Sequence, residues 1–92
     1  MNEKFYIISY DLRAPGRDYT SLYKTIKLRD WQHPLESMCL VYTHESADDL
    51  YNDIKSNMDD NDLLFISELR QGNWQGWISK VCWAWINERK NV

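Results

Sequence analysis

The chain has 92 residues, 43% of them hydrophobic and 14% aromatic, which excludes the disordered class and leaves room for one domain, expected to span 1–92, with a single core. Its formal net charge of −3, eleven Lys and Arg against fourteen Asp and Glu, argues against strong non-specific binding to nucleic acid. No apolar run is long enough for a membrane span, and no membrane partner is expected.

The first element is the run Phe5-Tyr6-Ile7-Ile8-Ser9-Tyr10, rich in aromatic and β-branched residues and stopped by the Pro15-Gly16 pair: a buried strand opening into a loop. Asp11 closes that strand. A carboxylate at a strand mouth, followed by Arg13 and Arg17, suits phosphodiester chemistry, in which the acid binds a divalent cation and the arginines meet phosphate oxygens. The plainer role, in which Asp11 ends the strand and caps the loop with its own oxygen, stays open. The apolar run is too short for a signal peptide, so the protein is expected to be cytoplasmic.

Tyr19, Leu22, Tyr23 and Ile26 fall at i, i+3, i+4 and i+7, which predicts a helix over 19–29 with Asp18 placed to cap it. Residues 31–43 predict a bent strand or two short ones, with Met38 to Thr43 the clearer segment. Pro34 keeps its part of the stretch out of a central, fully paired position. Ser46-Ala47-Asp48-Asp49 resembles a capping box with Asp in place of Glu, and Ala47, Leu50, Tyr51, Ile54 and Met58 repeat behind it at helical spacing. Asp59-Asp60-Asn61-Asp62 lacks the glycine and distal glutamate of a calcium loop and reads as a connection into the buried strand Leu63 to Leu69. A loop over 70–73 leads to a last helix from Trp74 to about Arg89. On that helix Trp83 falls with Gly76, Lys80 and Asn87 on the polar side, without an obvious core of its own chain. Trp83 therefore suits an interface, unless a broad apolar stripe tucks under its own domain.

These elements predict an α+β fold: a ferredoxin-like βαββαβ sandwich, two helices over one face of a mainly antiparallel sheet, with a Trp-rich C-terminal helix added. The second sheet face needs a cover, from the last helix or a second subunit, and a homodimer is expected. Cys39 and Cys82 read as buried thiols, and His33 and His44 lack zinc-ligand spacing. No dinucleotide fingerprint, phosphate loop or nucleophile elbow is present, so no nucleotide cofactor is expected. Charge is unevenly distributed along the chain. Arg13, Arg17, Lys24, Lys27 and Arg29 dominate residues 13–29, whereas residues 45–62 carry seven acids against Lys55. The first stretch offers a phosphate-facing surface or simply a solvated helix face.

Tyr6-Ile7-Ile8-Ser9-Tyr10-Asp11-Leu12, Pro15-Gly16-Arg17-Asp18-Tyr19, Leu22-Tyr23, Pro34-Leu35-Glu36-Ser37 and Asn61-Asp62-Leu63-Leu64 together resemble the small Cas-two-like proteins often filed as "SinR family". That superfamily takes in the small CRISPR-associated nuclease and adaptation subunit and the VapD toxins, and the resemblance runs from residue 5 to about 77. It implies a ferredoxin-like homodimer in which the strand-end aspartates of two subunits face each other across the twofold axis. Asp11 matches that aspartate, and in nuclease-active members the pair holds one Mg²⁺ or Mn²⁺. Ser37 matches a serine that positions the metal or a water. Three features depart from the pattern: Glu36 stands where the CRISPR proteins commonly carry a neutral amide-type residue, the net charge is negative, and a Trp-rich helix replaces a strand that extends the partner's sheet.

The expectation is a metal-dependent endonuclease acting on RNA or DNA. In it Asp11 is catalytic residue and metal ligand, Ser37 its orienter, and Arg13, Arg17 and Lys24 the phosphate contacts; a toxin-like ribonuclease is a variant. The alternative is a non-catalytic dimeric module that binds nucleic acid through the basic strip or a protein through Trp83 and the C-terminal helix.

Overall fold

A computed structural model describes residues 2–90. Four strands, β1 (Lys4–Asp11), β2 (Asp30–Leu35), β3 (Met38–Thr43) and β4 (Leu63–Leu69), and three helices, α1 (Thr20–Lys27), α2 (Ala47–Lys55) and α3 (Lys80–Arg89), follow one another as β1 α1 β2 β3 α2 β4 α3. The strands form one antiparallel sheet in the order β2-β3-β1-β4. The chain is thus α+β, with β1 central and both neighbours of β1 distant in sequence. The 31–43 stretch resolves into the hairpin β2–β3. Pro34 lies on edge strand β2, beside a register shift between Gln32 and Leu35, where a missing N–H costs no ladder bond.

Strand alternation sorts the two faces. Tyr6, Ile8 and Tyr10 of β1, with Cys39 and Val41 of β3, meet Leu22 and Ile26 of α1 and Leu50 and Ile54 of α2. Each fully buried aliphatic side chain here contributes roughly 1.5–3 kcal/mol. The opposite face carries Phe5 and Leu40, which pack with Trp85 and Ile86 of α3, while Trp74, Ile78 and Trp83 close round them. The last helix therefore covers part of the second face, one of the two covers the sequence allowed for.

Two helix starts differ from expectation. Asp18 Oδ1 accepts the Thr20 N–H at 2.9 Å, so it serves the first turn of α1, although Tyr19 occupies the cap position. Residues 74–79 are not helical: Ser79 accepts the Cys82 N–H at 3.2 Å and begins α3 at Lys80. The preceding stretch is an extended strap that reaches Phe5 through Trp74, whose ring stands edge-on at 5.3 Å. Trp74 and Ile78 mimic helical spacing because both are pressed onto the sheet. Both cysteines are buried and free, and no described helix is long and apolar enough to cross a membrane.

Candidate functional site

Asp11 ends β1 on the face that α3 covers only in part. Register pairs Asp11 with Leu63 and Ser9 with Phe65, so alternation puts Asp11, Ser9, Leu63 and Phe65 on one side. With Tyr10 and Leu64 these residues line a shallow depression of about 200 Å³. Phe65 is 69% exposed and Leu63 and Leu35 are about half exposed, so the carboxylate stands at the rim of an uncovered apolar area. The Asp11 side chain is itself 58% exposed.

Arg13 returns toward the strand end and donates from Nε to Asp11 Oδ2 at 2.9 Å. In the open such a pair contributes about 0–1 kcal/mol, so a phosphate or a cation can replace either partner at small cost. Ser37 lies in the β2–β3 turn, and its carbonyl accepts the Tyr10 N–H at 3.0 Å, extending the β1–β3 ladder to within one residue of Asp11. The Ser37 hydroxyl makes no hydrogen bond among the described residues. The structure thus brings Arg13 to Asp11, whereas Ser37 shares that end of the sheet but lies opposite Tyr10, whose side chain packs on the two-helix face, and lies outside the depression beside Asp11.

The remaining candidates lie elsewhere. Arg17 sits 3.9 Å from Asp59 and donates to the Asn57 carbonyl at 3.4 Å, which turns it toward the α2–β4 connection. Lys24 is exposed on α1, which packs on the opposite sheet face from Asp11. Trp83 is half buried against the Phe5, Leu40, Trp85 and Ile86 cluster, so its own chain supplies the core that the helical wheel missed. The shorter helix accounts for this, since only the residues from Lys80 onward share its wheel. Trp77, on the strap, is the tryptophan left 99% exposed.

The basic and acidic stretches of the sequence face one another. Arg29 makes two hydrogen bonds to Glu45, from Nε at 2.9 Å and from Nη2 at 2.8 Å, and a third from Nη2 to Asp53 at 2.7 Å. Arg17 meets Asp59 as described. Arg17 and Arg29 are therefore paired with acids of the second stretch, leaving Lys24 and Lys27 exposed on α1, with Lys27 Nζ 5.1 Å from the Trp31 ring centroid.

Sequence reasoning overlooked Asp62, read as one acid of a loop. It is 5% exposed, the one buried charged side chain among the described residues. Its Oδ1 accepts the Arg13 N–H at 2.6 Å and the Tyr19 hydroxyl at 2.8 Å, and its Oδ2 accepts the Asp59 N–H at 2.8 Å. Burial pushes its pKa upward, but those hydrogen bonds and nearby Arg17 outweigh it and hold the carboxyl below its ordinary value. The available signal was position: Asp62 immediately precedes an apolar strand, which draws it inward. Tyr10 was also passed over. Its hydroxyl lies 3.1 Å from Tyr23 Oη and 3.1 Å from His33 Nε2 on the two-helix face.

Mg²⁺ and Mn²⁺ take several hard oxygen ligands. One copy of the chain supplies the Asp11 carboxylate, one oxygen of which is held by Arg13, and no group of three or more His, Cys, Asp or Glu side chains suited to a metal gathers among the described residues. The donor type suits a hard cation. A single carboxylate would leave most of the cation's shell to water or substrate oxygens. No protein-family model, curated protein or solved structure matches the chain.

Proposed function

We propose that this chain is a Cas-two-like protein with ferredoxin-like order, acting in the cytoplasm as a homodimeric metal-dependent endonuclease on RNA or DNA. The observation that carries the reading is the place of Asp11, an exposed carboxylate at the edge of an uncovered apolar sheet area formed by Leu63, Phe65 and Leu35. A twofold contact through that area would bring two copies of Asp11 together and so supply two carboxylates from one encoded residue. The sheet order β2-β3-β1-β4, with α1 and α2 on one face, supports the ferredoxin-like assignment. Mg²⁺ or Mn²⁺ held between the two carboxylates would supply a water of lowered pKa and offset charge on a phosphodiester.

The chain's own residues then have separate tasks. Asp11 holds the cation, and Arg13, released from its exposed ion pair, meets a phosphate oxygen through the guanidinium fork. Ser37, exposed in the β2–β3 turn at the same end of the sheet, would orient a water or the substrate. Arg17 and Lys24 would meet the nucleic-acid backbone only if the substrate wraps round the loop toward α1, since Lys24 lies on the opposite sheet face and Arg17 is turned to Asp59.

A second reading rests on two other observations. Arg13 neutralises Asp11, and Trp77 stands fully exposed with Val81 exposed nearby on α3, features suited to a non-catalytic dimer that binds nucleic acid or a protein. Cleavage of short single- and double-stranded DNA and RNA with Mg²⁺, Mn²⁺ or EDTA separates the two. The endonuclease reading expects metal-dependent cutting that a folded, dimeric Asp11→Ala protein loses by at least about 10²-fold. Cutting that survives the substitution overturns the mechanism, and absence of cutting by the wild type transfers the function to the binding module.

A further inference from the structure

We infer that Asp62 is the positioning residue of the Asp11 site, fixing through the backbone of Arg13 where the Arg13 guanidinium meets the Asp11 carboxylate. The catalytic consequence rests on the endonuclease reading, whereas the geometric one does not.

A charged side chain is costly to bury unless its oxygens are occupied. Asp62 occupies both oxygens, and two of its three donors belong to the segment leaving β1: the Arg13 amide and the Tyr19 hydroxyl. Tyr19 Oη also accepts the Ala14 N–H at 3.2 Å, so the consecutive amides of residues 13 and 14 are tied to one carboxylate, the first directly and the second through Tyr19. Beyond them the Arg17 N–H closes on the Ala14 carbonyl at 3.1 Å, with Gly16 at φ +83° completing a turn after Pro15. The third bond, from the Asp59 amide, ties the same carboxylate to the α2–β4 connection.

Asp62 directly precedes Leu63, the residue paired with Asp11, so the anchor is one residue from the site along β4 and two along the β1 side. Rotation about the Arg13 backbone would move its guanidinium by several ångström at the end of a long side chain. With the Arg13 amide held at 2.6 Å, Nε returns to Asp11 instead. Asp62 touches neither metal nor substrate in this reading. It sets the geometry of the groups that do.

The test compares wild type, Asp62→Ala and Tyr19→Phe. Ala removes all three bonds, including the one to the Arg13 amide, while Phe removes only the Tyr19 arm and guards against failure of Asp62→Ala to fold. The side-chain Nε–H resonance of Arg13 is read by NMR, with Asp11→Ala as the unpaired reference. Exchange of the Arg13 and Ala14 amides is read in the same samples. The inference expects the Arg13 Nε–H signal to move toward the Asp11→Ala position in Asp62→Ala, and partway in Tyr19→Phe, with circular dichroism and oligomeric mass unchanged. Where the wild type cleaves nucleic acid, kcat per folded dimer should fall by on the order of 10-fold to 10²-fold with KM little altered. An unmoved Arg13 signal together with faster amide exchange overturns the inference, leaving Asp62 as a loop anchor alone. Absence of cleavage by the wild type would count against the endonuclease reading, while the Arg13 signal still decides the role of Asp62.

Discussion

Single carboxylates play opposite parts in this molecule, and their surroundings decide which. Asp11 is exposed and lightly paired, which leaves it available for chemistry, whereas Glu45 is committed to structure. The Arg29 guanidinium bonds Glu45 twice and, helped by the Thr43 hydroxyl at 2.9 Å, holds its carboxyl below the ordinary value of 4.5 against the opposing effect of burial. A group whose folded pKa is lowered adds stability above its unfolded pKa and loses that contribution as pH falls through the folded value. Arg29 is raised further above its already high value and stays charged throughout, so the window is set by Glu45. Glu45→Gln should therefore cost about 2 kcal/mol at pH 7, less than a fully buried pair because Glu45 is partly exposed. The gap between variant and wild type should narrow as pH falls from the ordinary carboxylate range through the folded value of Glu45. Urea unfolding at pH 7 and pH 3, at one protein concentration, measures both, and a gap undiminished at pH 3 would assign the loss to packing.

At the level of elements, α3 depends on one acid of the edge strand. Asp30 accepts Trp85 Nε1–H at 2.8 Å and the Arg89 Nε–H, and the Arg89 guanidinium lies 4.9 Å from the Trp85 ring centroid. Hydrogen bonds to a charged group contribute roughly 1.5–3 kcal/mol, so Asp30→Ala should raise amide exchange over residues 80–89 by roughly tenfold or more while leaving α1 unchanged. Uniform acceleration in both helices would show global destabilisation instead. Helices α1 and α2 were legible in the sequence because an apolar stripe on one packed face leaves a regular period, and β1 because burial on both sides leaves a near-continuous apolar run; β4 carries a similar run although Leu63 and Phe65 on its second face are exposed. The strap was not, since Trp74 and Ile78 four apart satisfy a helix as well as an extended segment lying on a sheet. The same ambiguity drew attention to Trp83 and away from Trp77. Asp11 was legible at its strand end, but the burial of Asp62 and the cancellation of Arg17 and Arg29 by acids thirty or more and sixteen residues away depend on tertiary pairing that no local pattern carries.

For the whole molecule, the proposed function turns on where two copies would meet. The strap and α3 shield the Phe5 and Leu40 portion of the second face, whereas Phe65, Leu63 and Leu35 stay open beside Asp11. A stable dimer needs roughly 800 Å² from each partner with an apolar centre, and Phe65 is the largest exposed side chain on β4 to anchor it. Phe65→Glu would place two like charges near the proposed axis, in addition to the two Asp11 carboxylates that the proposal brings there, without touching the buried clusters. Light scattering after size exclusion should show wild type at twice the chain mass and Phe65→Glu as a folded monomer, with any metal-dependent cleavage lost along with the dimer. Trp77→Ala is the matching control, since its site lies on the strap and its loss should leave that dimer intact. If Phe65→Glu stays dimeric and Trp77→Ala dissociates, the copies meet across the strap, the two Asp11 carboxylates do not share an axis, and the exposed carboxylate has to be explained within a single subunit.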